Sequence, residues 1–227
     1  MERRPDPTVT APSGLPPGAI SDVVEETVAL GGRTVGMLRP RDGDAVLDEL
    51  LAEDDPEEER LPFWTQLWPS GSALAEVVAG RPLAGRRALE LGCGLGLVSV
   101  AAALAGAEVL AVDRSPEAVT FTAANAARNG VTVRTAVCAF DRPEPLLAEA
   151  PWDLVLAADV LYEQRNVPVL LWLLPRLVGP AGEAWLADPG RAGLERFLSG
   201  ADATGWRRDQ LPAGAGLVTV HRLRRTP

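Results

Sequence analysis

Short runs of consecutive apolar residues alternate with longer amphipathic stretches through most of this chain. "RRALELGC" (86–93) reads as a strand, and Leu95 to Leu104 as a helix. "AEVLAVD" (107–113) is a second strand. Pro116 to Arg128 then reads as a helix with proline in its first turn. "VTVRTAV" (131–137) and "WDLVLAAD" (152–159) are two more strands, and the second leads into a helix from Val167 to Leu177. "EAWLAD" (183–188) is followed by a helix from Ala192 to Ala203. The chain closes on an antiparallel pair, "WRRDQL" (206–211) and "GLVTVHRL" (216–223). Strands that are apolar at successive positions are buried on both faces, and helices between them make the crossovers. The pattern therefore predicts an α/β fold: a doubly wound, mainly parallel seven-stranded sheet with one reversed strand.

Before residue 61 the texture differs. Residues 1–20 are rich in proline and glycine and read as a disordered tail. Residues 21–60 read as an extension. Two short strands flank Gly31-Gly32 as a hairpin, a short helical pattern runs from Ala45 to Ala52, and the acidic run "EDDPEEER" reads as a solvated loop. Residues 61–227 form the main domain. It begins with "LPFWTQLWPSGSALAEVV", where Ser70 is a reasonable N-cap for a helix reaching Val78.

The composition narrows the chemistry. A net charge of −9 disfavours nucleic acid or an anionic membrane surface as the main partner. Cys93 and Cys138 make neither a disulfide framework nor a metal-ligand set, which fits a reducing cytoplasm. His221 is the only histidine, so a histidine-based triad and most zinc sites are excluded. The first twenty residues carry no secretory signal, and the longest apolar stretch, "VPVLLWLL", is too short to span a bilayer. If the chain is an enzyme, its chemistry is expected to run without histidine or metal.

The turn "ELGCGLGL" joins the first parallel strand to the first helix, where doubly wound sheets bind ligands. Gly92, Gly94 and Gly96 are spaced G-x-G-x-G, and Leu97 takes the third glycine position of the dinucleotide fingerprint. The phosphate-cradling lysine of a P-loop is also missing. So bare and uncharged a turn suits a ligand without phosphates, such as S-adenosylmethionine. Asp113, at the end of the next strand, is placed to accept both ribose hydroxyls. In "VCAFD", Phe140 can lie against the adenine and Asp141 can accept from its exocyclic amine. Glu90 can meet the ligand's amino group.

These residues resemble a class I S-adenosylmethionine-dependent methyltransferase, with its Rossmann-like sheet. The resemblance runs from about Pro62 to Leu211 and narrows to the seven-β-strand lysine methyltransferase group, methyltransferase family 16. That group carries a tryptophan-proline entry helix, here Trp68-Pro69, and an Asp/Glu-x-x-Tyr motif, here Asp159 to Tyr162. Asn125 and Asn129 in "ANAARNG" also fit. The resemblance implies S-adenosylmethionine as methyl donor and S-adenosylhomocysteine as product. Trp68 and Asp159 would contribute to the cofactor site, Asp159 and Tyr162 to catalysis, and Trp64 and Tyr162 to the substrate side. "DPGR" (188–191) is similar to a branch that methylates lysines of the electron-transfer flavoprotein β subunit, so the expected partner is a protein presenting lysine, with a monomeric enzyme.

Methyl transfer is an in-line displacement from a sulfonium, so the protein mainly aligns donor and acceptor. A lysine acceptor must first lose its proton. A carboxylate about 4 Å away favours the ammonium by roughly 4 kcal/mol at an effective dielectric of about 20, which is about three pH units in the wrong direction. Asp159 is therefore expected to capture and orient the amine rather than to deprotonate it. A small-molecule N- or O-methyltransferase and a non-catalytic cofactor-binding module are the competing functions.

Overall fold

The computed structural model describes residues 22–43, 46, 63–213 and 216–225. The tail expected at 1–20 and the acidic loop at 53–60 lie outside the described residues, as does the helix expected at 45–52 apart from Val46. In chain order the elements are β1 (Val23–Leu30), β2 (Arg33–Pro40), α1 (Pro69–Ala79), β3 (Arg87–Leu91), α2 (Leu97–Leu104), β4 (Glu108–Asp113) and α3 (Pro116–Arg128). They continue as β5 (Arg134–Val137), α4 (Glu144–Glu149), β6 (Trp152–Ala158), α5 (Asn166–Leu177), β7 (Val178–Asp188), α6 (Leu194–Ala203), β8 (Trp206–Leu211) and β9 (Thr219–Arg225). One turn of 3-10 helix, Phe63–Thr65, precedes α1.

Strands β3 to β9 form one sheet in the order β5-β4-β3-β6-β7-β9-β8. The pairs from β5 to β7 are parallel, and β9 runs antiparallel to both of its neighbours. The expected sheet, with its single reversed strand, is the one observed. Alternation along β6 explains its two apolar faces. Leu154 and Leu156 join the cluster packed by α1, α2 and α3, while Val155 and Ala157 join the one packed by α5 and α6. Strand order reverses between β3 and β6, which opens a crevice at their carboxyl ends.

The hairpin β1–β2 is a separate two-stranded sheet, but it shares the core of the larger one. Met37 and Leu38 are fully buried in the same cluster as Val98 and Phe121. It is held by side-chain amides instead of a strand ladder. Asn125 Oδ1 accepts from the Leu38 N–H at 2.6 Å, and its Nδ2 donates to the carbonyls of Leu38 and Leu95. One helical turn on, Asn129 accepts from the Gly36 N–H and donates to the Gly36 carbonyl. Asn125 on α3 and Asn129, which caps its C-terminus, thus pair with alternate residues of β2, and Asn125 ties that strand to the glycine turn.

Two local expectations need correction. Ser70 is not the N-cap of α1. Pro69 takes the first helical position, Trp68 precedes it without a side-chain cap bond, and the Ser70 hydroxyl is buried without a partner. The short helix α4, with Pro143 before it and Pro145 in its first turn, was not expected.

Candidate functional site

Glycines 92, 94 and 96 all take positive φ, at 71°, 51° and 82°. Their reasons differ. A Cβ on Gly96 would come 2.7 Å from two atoms of Thr122, so this glycine serves helix packing. A Cβ on Gly92 would push toward Val160 and Phe140, into the crevice. The space above Gly94 is open to a ligand, since only Trp64 atoms at 3.7 Å and beyond approach it. Cys93, inside the turn, is a buried thiol whose pKa is pushed well up by burial, and Thr122 donates to its sulfur. It is packing, not a nucleophile.

The two carboxylates beside the turn sit in unlike settings. Glu90 is 2% exposed and accepts a short hydrogen bond from the Ser99 hydroxyl of α2. Burial pushes its pKa up to about 8. Asp113 accepts from the Gly94 N–H at 3.0 Å and the Ser115 N–H at 3.0 Å, one on each oxygen, while burial raises its pKa. Each Asp113 oxygen keeps a lone pair for a ligand hydroxyl.

Strand β6 ends at Ala158, and Asp159 follows in a left-handed conformation at φ 56°. Its N–H bonds the Ala187 carbonyl at 2.9 Å, which locks the turn to β7. Its carboxylate, 9% exposed, was expected to stand ready for an amine. Instead it is held by a bidentate pair from Arg191, Nε to Oδ1 at 2.8 Å and Nη2 to Oδ2 at 3.1 Å. Arg191 is itself fixed by its backbone. Asp188 Oδ1 accepts from the N–H groups of Gly190 and Arg191, both at 2.7 Å.

A single cavity of about 930 Å³ is lined by Glu90, all three turn glycines, Asp113, Phe140, Asp141, Asp159, Tyr162, Trp64, Trp68 and Arg191. The structure therefore brings every sequence-nominated residue to one cavity. They do not all play equal parts. Trp64 is buried, its ring 5.4 Å from Phe121 and its backbone against Gly94, on the glycine side. Trp68 donates its indole N–H to the Phe63 carbonyl. The exposed aromatic edge at the mouth is Phe63 against Tyr162, with ring centroids 5.2 Å apart. Burial raises the Tyr162 pKa, so it remains a neutral phenol and is no base at physiological pH. Sequence reading missed Phe63, Ser99 and Arg191 as site residues. Ser99 was findable, nine positions after Glu90 on the buried face of α2. The Asp159–Arg191 pair spans 32 positions and leaves no local pattern.

The shapes available are a bare glycine turn, a hydroxyl-accepting aspartate, a buried glutamate and an aromatic mouth beside a neutralised carboxylate. Among the described residues no cluster of His, Cys, Asp and Glu could hold a metal ion. The family model described as lysine methyltransferase matches residues 57–195. The electron transfer flavoprotein beta subunit lysine methyltransferase of Danio rerio is 35% identical over 138 residues, which covers 59% of this chain and 52% of that protein. The EEF1A lysine methyltransferase 3 of Mus musculus is 33% identical over 145 residues, 61% of this chain and 62% of that one. The chain spans about half the length of the curated relatives it matches. The fold is shared with the 16S rRNA N2 G1207 methyltransferase of T. Thermophilus, at a TM-score of 0.65 and 18% identity over 91% of this chain and 51% of that one.

Proposed function

The chain belongs to the lysine methyltransferase family, and from that premise we propose that it transfers a methyl group from S-adenosylmethionine to a lysine side chain of a protein. The observation that carries this reading is the convergence of the glycine turn, Asp113 and the Asp159–Tyr162 pair on one cavity. The residues fit the cofactor. A Cβ on Gly92 would narrow the crevice, Asp113 accepts from hydroxyls, Phe140 and Asp141 stand at the end of β5, and the buried Glu90 lacks a cation that the cofactor's amino group supplies. When bound, that cofactor provides a methyl group on a sulfonium. Everything else is the work of this chain. Asp159 orients the acceptor nitrogen, and Phe63, Trp68 and Tyr162 exclude water and line the path of an alkyl chain. Among the described residues lining the cavity, no side chain serves as a strong base.

The finer reading, the electron-transfer flavoprotein β subunit as acceptor, draws support from "DPGR" (188–191) and from the Danio rerio relative. A cytoplasmic setting draws support from the two free, buried cysteines.

The test is to incubate the protein with methyl-labelled S-adenosylmethionine and an extract of a host lacking the gene. Label is expected on a discrete protein, on lysine, and lost with Asp159→Ala. Label confined to small molecules would overturn the lysine reading and favour a small-molecule methyltransferase.

A further inference from the structure

All 22 basic residues of this chain are arginine, and it contains no lysine. One of these arginines rests on the carboxylate that a substrate amine must approach. The pairing is built, not incidental. Asp159 is pinned at positive φ by the Ala187 carbonyl. Asp188, 1% exposed, clamps the backbone of Gly190 and Arg191, with Gly190 at φ 91°. The guanidinium uses both Nε and Nη2 in a side-on fork, a geometry that lysine cannot reproduce. The Arg191 side chain is 39% exposed and lines the cavity.

We propose that Arg191 is a positioning residue of the transfer step: by offsetting the charge of Asp159 with its guanidinium, it lets the acceptor amine sit in the site as the free base. This rests on the reading of the site as an amine methyltransferase. A lone anion about 4 Å from the amine would raise its ammonium midpoint by about three pH units at an effective dielectric of about 20. A guanidinium about 2 Å farther away cancels about two of those units. The carboxylate oxygens keep lone pairs that can still accept from an amine N–H, so Asp159 orients the nitrogen without holding it protonated. Arg191 is itself held more firmly protonated by Asp159, so it competes for the carboxylate without ever becoming an acceptor.

The other charged and titratable groups around this point leave the balance to Arg191. From the loop after β6, Glu163 is paired with Arg114 and Arg165, and Tyr162 is a neutral phenol. From β7, Asp188 faces Asp159 with a raised pKa caused by burial. From β3 and β4, Glu90 and Asp113 lie on the glycine side of the cavity. His221 on β9, its pKa lowered by burial, lies behind Asp188.

The experiment uses a degenerate peptide library with a central lysine labelled with ¹³C at Cε. The Cε shift is titrated in the complex with S-adenosylhomocysteine, which cannot react. The pH limb of kcat is then measured with S-adenosylmethionine. For Arg191→Gln, both the Cε titration and the kcat limb are expected to move up by about two pH units. Near neutral pH this is a rate loss approaching 100-fold that recovers at alkaline pH. In Arg191→Gln/Asp159→Asn the anion at position 159 is removed together with its guanidinium, so the midpoint should return toward that of the parent. This double variant also separates electrostatics from damage to the fold. Unmoved midpoints in Arg191→Gln, with KM raised at every pH, would overturn the inference and make Arg191 a substrate-binding group. Parent enzyme that labels no amine, and only oxygen acceptors, would instead remove the amine reading, and this inference with it.

Discussion

Among single residues, Glu90 shows most directly how a ligand site is held at a cost to the fold. Below about pH 4.5 the folded and unfolded chains both carry its proton. The unfolded chain releases it at the ordinary value of 4.5, whereas the folded chain keeps it until about 8. Between those values the unfolded state gains at about 1.4 kcal/mol per pH unit, so the contribution of Glu90 is fully present in acid and is lost as the pH rises to about 8. Glu90→Gln removes this dependence. Its urea midpoint is expected to rise relative to the parent between about pH 5 and 8, by the equivalent of a few kcal/mol. Parallel pH profiles for the two proteins would refute it. The sequence named Glu90 because it stands directly before the glycine turn, and Asp113 because it ends the next strand. Both positions are legible from local pattern. Arg191 was not, since what matters about it is the carboxylate it meets 32 residues away, and chain order does not encode that distance.

The elements were legible where burial imposes one period over a long enough run. Strand β6 is apolar at nearly every position and β4 along its whole middle because both faces are covered. Expectation was weaker where a side chain replaces backbone. The apolar alternation of β2 marks its buried face, but nothing in it shows that its outer edge is satisfied by Asn125 and Asn129 instead of a third strand. Asn125 is fully buried, and all of its amide bonds go to main chain. Asn125→Ala leaves the Leu38 N–H and the Leu38 and Leu95 carbonyls short of partners, at an expected cost of about 2–4 kcal/mol. Hydrogen exchange should show the Leu38 amide, and then the glycine turn, opening far faster than in the parent. Unchanged protection at Leu38 would mean that apolar packing alone seats the hairpin. Helix α4 escaped notice for the opposite reason: six residues between prolines hold too little periodicity to separate a helix from a loop.

At the scale of the whole molecule, the hairpin and the seven-stranded sheet share one core and are expected to melt as one body. Val23, Leu30, Val35, Met37 and Leu38 are all at most 6% exposed in the core cluster that includes α1, α2 and α3. At about 1.5–3 kcal/mol per buried side chain, these five contribute about 10 kcal/mol, comparable with the net stability of an ordinary domain. Deleting residues 23–40 is therefore expected to give a chain without a cooperative thermal transition, whereas the intact protein shows one. A deleted chain that still melted sharply would show the sheet to be self-sufficient. The mainly parallel sheet with one reversed strand could be read in advance because strands buried on both faces and joined by helices leave few alternatives. The sharing of one core between hairpin and sheet could not, because the apolar faces of β1 and β2 do not name their partner. The asparagine clamp makes this hairpin an exchangeable cassette. It reads only main-chain groups of Gly36 and Leu38. A foreign hairpin with equivalent apolar volume, a glycine at position 36 and an acid to meet Arg128 is expected to seat on α3, and a chimaera could inherit a new outer face while the glycine turn kept its shape.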